Sequence, residues 1–186
     1  MAEPPDPSAV ARQQLLATGR RLAATHRRRA ELTRAVVCAQ AGVTPEAFAA
    51  LYGSDEAFHC DLLAALLDDL RDTVTRATAG MPPGIPRLKM AVETYLEAQA
   101  RQPTLCELRD SLHVCSDGAQ ALARHRSGFG MMVALELKAS DWPEHQAAGP
   151  LLAAAIAEVA RAERQDTQPM PGLRETLYRY LDHLPP

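Results

Sequence analysis

The sequence predicts an all-α protein of about nine helices, and three observations lead there. Hydrophobic residues fill 47% of the 186 positions but aromatic ones only 4%, with alanine and leucine recurring throughout. Strands favour β-branched and aromatic side chains, whereas alanine and leucine stand high on the helix scale. Apolar residues also repeat at helical spacing, as in Phe58, Leu62, Leu66 and Leu70, which sets them on one helix face. Proline and glycine then cut the chain into pieces of helix length. No strand pattern and no internal repeat is visible.

The elements follow in order. Residues 1–7 (Met-Ala-Glu-Pro-Pro-Asp-Pro) read as a short disordered polar tail. A helix from about Ser8 to Thr25 carries Val10, Leu15 and Leu22 near helical spacing. The basic connection His26-Arg27-Arg28-Arg29 leads to Thr33, which caps a short helix through about Gln40. Gly42 makes a turn. Thr44, Pro45 and Glu46 then supply an N-cap, a first-turn proline and a first-turn acid for a second short helix, ending near Tyr52-Gly53. Ser54 caps a longer helix to about Ala79, its apolar face widened by Leu63 and Leu67. The breaker Gly80-Met81-Pro82-Pro83-Gly84 follows, the best joint between a head and a body. Further helices are expected at about 85–101, 103–114 and 117–139, the last weakened by Gly128 and Gly130. Pro143 and Gly149-Pro150 punctuate the chain again. Two closing helices carry Leu151, Leu152, Ala155, Ile156 and Val159, then Leu173, Leu177, Leu181 and Leu184. The expected domains are a three-helix head over 8–53 and a helical body over 54–186.

The net charge of -3 argues against nucleic-acid binding by bulk charge, but charge is unevenly distributed. From 8 to 60, Arg12, Arg20, Arg21, Arg27, Arg28, Arg29 and Arg34 face Glu31, Glu46, Asp55 and Glu56. That segment is therefore locally basic, and the rest is acidic. No signal-peptide pattern and no membrane-length apolar run is present, so a cytoplasmic protein without a membrane partner is expected. Cys38, Cys60, Cys106 and Cys115 lack zinc-ribbon spacing and fall in helical segments, which reads as reduced thiols. No phosphate loop, G-x-S-x-G, H-E-x-x-H or carboxylate pair proposes an enzyme, and none implies a cofactor.

Two short helices joined by a glycine turn and preceded by a longer helix have the form of a helix-turn-helix head. The plainer reading is two packed helices of any bundle. Against it stands the ordered run Thr33, Val37-Cys38, Ala41-Gly42-Val43-Thr44, Phe48, Tyr52 and Ser54-Asp55-Glu56-Ala57-Phe58. On these residues the sequence resembles the TetR family of bacterial ligand-responsive transcriptional regulators, over about residues 10–70. The resemblance implies a homodimer that binds a palindromic double-stranded DNA operator and releases it on binding a small apolar molecule. The DNA-contacting residues it points to are Arg27, Arg28, Arg29, Thr33, Arg34, Thr44, Glu46, Ala47, Ala49, Ala50 and Ser54.

The sequence departs from that family on the reading surface. Ala49-Ala50-Leu51-Tyr52 stands where the family has Tyr-x-His-Phe, and Asp55 where it has a phosphate-touching lysine. His26 replaces a glycine. Base edges are read by hydrogen bonds or by methyl contact with thymine, and alanine offers only the second. An aspartate repels phosphate, although the basic loop 27–29 supplies positive charge nearby. Specific operator binding and an altered or lost DNA function are both consistent with this surface.

In the body, Tyr95, Cys106, His113, Phe129, Met131, Met132 and Trp142 are candidates for lining an inducer pocket between helices, the position the resemblance implies; ordinary core is the alternative for each. Cys106, His113 and Cys115 also suggest a metal or redox sensor, although nine residues separate the two cysteines and turn them apart on one helix. The resemblance further implies that the last two helices pair with their copies in a four-helix bundle. Leu152, Ile156, Val159, Leu173, Leu177, Tyr180 and Leu181 would form that interface, with Tyr178 beside them. Burial inside the monomer is the alternative.

Overall fold

The structure is a computed structural model that describes residues 6–25, 28–165 and 170–183, with His183 described by its backbone alone. Nine α-helices and no strand occur among the described residues: α1 (Pro7–Ala24), α2 (Arg34–Ala41), α3 (Pro45–Tyr52), α4 (Asp55–Ala77), α5 (Ile85–Ala100), α6 (Pro103–Leu112), α7 (Ser116–Ala139), α8 (His145–Gln165) and α9 (Pro171–His183). One short 3-10 turn, Arg29–Glu31, precedes α2. The helices form two compact units, one of Met1–Asp68 with Gln102–Leu122, the other of Asp69–Arg101 with Ala123–Pro186.

The first unit extends beyond the 8–53 head because α4 completes its core. At Gly19 of α1 an added Cβ would lie 3.0 Å from Leu62 and 3.1 Å from Phe58, so the two helices meet there with no room for a side chain. Leu15 and Leu22 of α1, Phe48 of α3 and Leu63 of α4 are buried in the same unit. α6 packs against α1 and the 3-10 turn. Asp6 and Pro7, expected in a disordered tail, instead start α1: the Asp6 carboxylate accepts the Ser8 N–H at 3.0 Å, and Pro7 occupies the first turn, where it loses no helical hydrogen bond. Residues 1–5 lie outside the described residues.

In the second unit α5 packs against α8 and α9, which also pack against each other. Leu88, Val92, Leu96, Val133, Leu137 and Ile156 are buried there. Two carboxylates join them. Glu136 accepts from Arg87 Nη2 at 2.6 Å and from the Gly84 N–H at 2.9 Å. Glu163 accepts from Arg174 Nε and Nη2 at 2.6 and 2.7 Å and from the Met170 N–H at 3.0 Å. Burial by itself would raise the Glu163 carboxyl, but the hydrogen bonds from Arg174 and Met170, with the Arg174 charge, outweigh it and hold the group below its ordinary value.

The break expected at Gly149-Pro150 is absent: α8 begins at His145 and contains Pro150, while α7 keeps its expected span through Gly128 and Gly130. The crossing of these helices explains the absent break. A Cβ on Gly149 would lie 2.6 Å from Ala134 Cβ and from the Gly130 carbonyl oxygen, and one on Gly130 would lie 3.2 Å from Pro150 Cα. Glycine here permits backbone approach rather than marking a helix end, and the packing it allows offsets the hydrogen bond that Pro150 cannot donate.

Candidate nucleic-acid interface

The helix-turn-helix is assembled by its own short-range chemistry. Thr33 Oγ1 accepts the Val36 N–H at 3.4 Å, Thr44 Oγ1 that of Ala47 at 3.2 Å, and Ser54 Oγ that of Ala57 at 3.1 Å. Three successive helices thus begin with a hydroxyl that satisfies an otherwise unpaired N–H. Gly42 ends α2 at φ 68°, in the left-handed region that favours glycine. Val37, Val43 and Phe48 are buried beneath the turn. Phe48, Tyr52 and Phe58 meet as a ring cluster, with centroids 5.3–5.5 Å apart, two pairs tilted and Tyr52 edge-on to Phe58, arrangements that aromatic quadrupoles favour over face-to-face stacking.

Charge is arranged differently from the expectation. Arg34 donates from Nε to Asp55 Oδ1 at 3.0 Å and pairs with it through Nη2 at 2.9 Å. Its guanidinium also lies 5.1 Å from the Phe48 ring centroid, within cation–π range. Asp55 is therefore an acid that holds an arginine of the head. A half-exposed pair of this kind adds little stability, but it fixes where the guanidinium points.

The other described DNA-contacting candidates fall on the 3-10 turn, on α3 and at the helix caps. Arg27, with His26, lies outside the described residues. Arg28 is exposed and Arg29 half-buried, and the Arg29 backbone N–H donates to Glu107 Oε2 at 2.7 Å. Thr33, Thr44 and Ser54 are exposed, with their hydroxyls engaged as caps. On α3, Pro45, Glu46, Ala49 and Ala50 are exposed and Ala47 is half-buried. Its outward face thus presents methyl groups and one carboxylate, with no side-chain hydrogen-bond donor among these residues.

His59 was missed by the sequence reading. It is buried on α4, and its Nε2–H donates to the Leu32 carbonyl at 3.0 Å, tying α4 to the segment entering α2. Burial lowers its pKa, with the nearby Arg29 charge acting in the same direction against the Leu32 hydrogen bond. The ring is thus held neutral. It lines an open hollow of about 630 Å³ with Arg29, Thr33, Asp55, Glu107 and Ser111. Only its place in the fold reveals it, since a histidine within an apolar helix pattern carries no signal of its own.

The ligand candidates are not brought together as one set. Within the second unit the buried Tyr95 stacks on Phe129, with centroids 4.9 Å apart and planes 16° apart, and His125 lies parallel to both at 6.5 and 6.4 Å. Met132 and Trp142 are half-buried. Met131 is 65% exposed, because 129 and 132 share a helix face that 131 does not. Cys106 and His113 belong to the first unit, Cys106 buried and His113 exposed with Nδ1 2.7 Å from the Asp110 carbonyl. The proposed cysteine-histidine sensor does not assemble either. No group of three potential metal ligands occurs among the described residues, and Cys115 Sγ lies 3.3 Å from Cys60 Sγ instead.

The dimer candidates also divide. Ile156, Val159, Leu177 and Leu181 are buried within their own unit. Tyr178 donates its hydroxyl hydrogen to Glu93 of the same unit. Leu173 and Tyr180 are exposed, Leu152 is half-buried, and Leu151 lies exposed beside it. No helix among the described residues is long and apolar enough to cross a membrane.

No protein-family model matches the sequence, and no curated protein matches it significantly. Solved structures do. A transcriptional regulator from Rhodococcus sp. Rha1 superposes with a TM-score of 0.68 at 17% identity, covering 96% of each chain. The multidrug binding protein EbrR, solved in complex with imidazole, gives 0.71 at 15% identity, over 98% of this chain and 97% of its own. The reduced form of NemR from E. coli gives 0.65 at 16% identity, over 94% of this chain and 96% of its own. With the nine described helices and the capped helix-turn-helix, these near full-length matches establish that the chain has the TetR-like fold.

Proposed function

We propose that the protein is a homodimeric transcriptional regulator that binds a palindromic DNA operator through its first unit and responds to a small apolar molecule through its second. The observation that carries this reading is the intact helix-turn-helix scaffold, in which α2, α3 and α4 each keep a hydroxyl cap and Gly42 keeps its left-handed turn. Exposed Arg28 within the head supplies a phosphate contact. Leu151, Leu173 and Tyr180 give α8 and α9 exposed apolar groups for a second copy. The aromatic stack of Tyr95 and Phe129 is the starting point for a ligand site. α4 contributes residues to both units, so a ligand that favours one arrangement of α4 is linked to DNA affinity, and each then weakens the other.

A second reading has its own support. The outward face of α3 lacks base-reading donors, and Asp55 holds Arg34, so the head is also suited to a scaffold that binds DNA without sequence preference or not at all. In that case the second unit, as a small-molecule or protein-binding module, carries the function.

One experiment separates the two. Purified protein is incubated with pooled genomic fragments at two salt concentrations, and bound DNA is sequenced. Enrichment of a palindromic site that persists at higher salt supports the regulator. Binding that is sequence-blind and lost at higher salt, as expected for contacts to phosphate alone, or absent altogether, overturns it in favour of the second reading.

A further inference from the structure

Cys60 lies on α4 and Cys115 in the connection between α6 and α7, far apart in sequence, yet both belong to the first unit and their Sγ atoms are 3.3 Å apart. Their hydrogen bonds form one directed chain. The Cys115 thiol donates to the Leu112 carbonyl at 3.1 Å, which leaves its sulfur to accept the Cys60 S–H. The space is shaped for this pair. At Gly118, on the first turn of α7, an added Cβ would lie 2.8 Å from Cys115 Sγ and 2.2 Å from the Leu112 carbonyl oxygen. Any larger residue there would displace the thiol from its partner. Cys38 and Cys106 are buried free thiols elsewhere in the sequence.

We propose that Cys60 and Cys115 are a redox modification site at which a hydroperoxide converts the two thiols into a reversible intramolecular disulfide. Closing the bond needs the sulfurs to move from 3.3 Å to about 2.05 Å, a small displacement on the scale of side-chain rotation. The two cysteines have unequal roles. Cys60 is buried, and its thiol is pushed up to about 12, first by burial and then by its hydrogen bond to Cys115. Cys115 is half-exposed, so it is the sulfur that a hydroperoxide reaches.

The Cys115 thiolate attacks the terminal peroxide oxygen and the O–O bond breaks. The alkoxide leaves as an alcohol carrying the former Cys115 proton, and Cys115 becomes a sulfenic acid. The Cys60 sulfur then attacks the sulfenic sulfur. The S–S bond forms, the S–O bond breaks, and water leaves with the Cys60 proton. In total the two thiols lose two electrons, and the hydroperoxide is reduced to one alcohol and one water. A dithiol reverses the modification by exchange.

The full-length protein, treated with tert-butyl hydroperoxide and analysed under non-reducing conditions, tests the assignment. Its intact monomer mass should fall by about 2 Da, the two hydrogens lost in forming one disulfide. Peptide mapping should find Cys60 joined to Cys115, and dithiothreitol should restore the original mass. Cys115→Ser should abolish the mass loss, while Cys38→Ser and Cys106→Ser keep it. A different cysteine pairing, stable oxidation of Cys115 without a link to Cys60, or an unchanged mass in excess hydroperoxide would overturn the proposal. The wild-type map needs no variant to fold, and its result does not depend on whether the head binds DNA.

Discussion

In the first unit the rings of Phe48, Tyr52 and Phe58 meet at 5.3–5.5 Å, and ion pairs between its helices, such as Arg12 with Asp61, are partly exposed. The second unit instead buries two carboxylates, Glu136 and Glu163, closed by arginines 49 and 11 residues away along the chain. The first unit is specified by caps, a glycine turn and apolar spacing, which act over three or four residues. The second depends on pairings such as Arg87 with Glu136, which only tertiary structure brings together. This difference teaches where each unit is vulnerable: the first to loss of packing, the second to a charge left without its partner.

The largest expected effect tests packing. Phe48 has no solvent exposure and joins all the rings of the cluster, so Phe48→Ala should destabilise the first unit by about 3–5 kcal/mol. Urea unfolding followed by a probe in each unit would show it, and an equal loss in both units would break the distinction drawn here. Arg174→Ala comes next. It strands the Glu163 carboxylate in a buried site, at an expected cost of about 3 kcal/mol, or somewhat less because Arg174 retains some water. Replacing both residues by methionine should recover much of that loss. No recovery would mean that the pair stabilises the unit by more than mutual neutralisation.

A smaller effect concerns the local signals. Thr44→Ala removes the cap of α3 and should cost about 1 kcal/mol. It should also lower the hydrogen-exchange protection of α3 more than that of α8. Uniform loss of protection would show that the cap contributes to the whole chain and not to its own helix alone.

The finest test is pH. The His59 pKa is lowered in the folded protein from its ordinary 6.5, so the unfolded chain binds the proton more readily. Stability of the first unit is therefore full above about 6.5 and is lost as pH falls from there towards the lower folded value. Glu163 is held below its ordinary 4.5, so its contribution is present above that value and is lost only as pH falls through the folded value. Thermal unfolding across this range should show the first unit weakening before the second. His59→Gln, which keeps a donor for the Leu32 carbonyl, should remove the earlier step and leave the later one.

Much of the head was legible in the sequence. Thr33, Gly42, Thr44 and Ser54 each announce a cap or a turn through residue type alone, because the groups they satisfy lie within a few positions. Gly149-Pro150 misleads for the opposite reason. As letters they mark a break, but Gly149, like Gly130, lets α7 and α8 approach, a property of two segments at once. The dimer candidates show the same limit of spacing. Helical spacing identifies Ile156 and Leu181 as apolar-face residues without saying what covers them, and both are buried within their own unit. By residue type Asp55 repels phosphate, whereas in the fold it holds Arg34, 21 residues away.

The sequence by itself determined the helices, their order and the capped helix-turn-helix, since each is decided by interactions of a residue with near neighbours along the chain. Only the tertiary structure decided which apolar faces are already covered, that Asp55 holds Arg34, that His59 is a buried neutral ring, and that Cys60 meets Cys115. Those outcomes depend on the distance between segments remote in sequence, and spacing along a single helix carries no information about it.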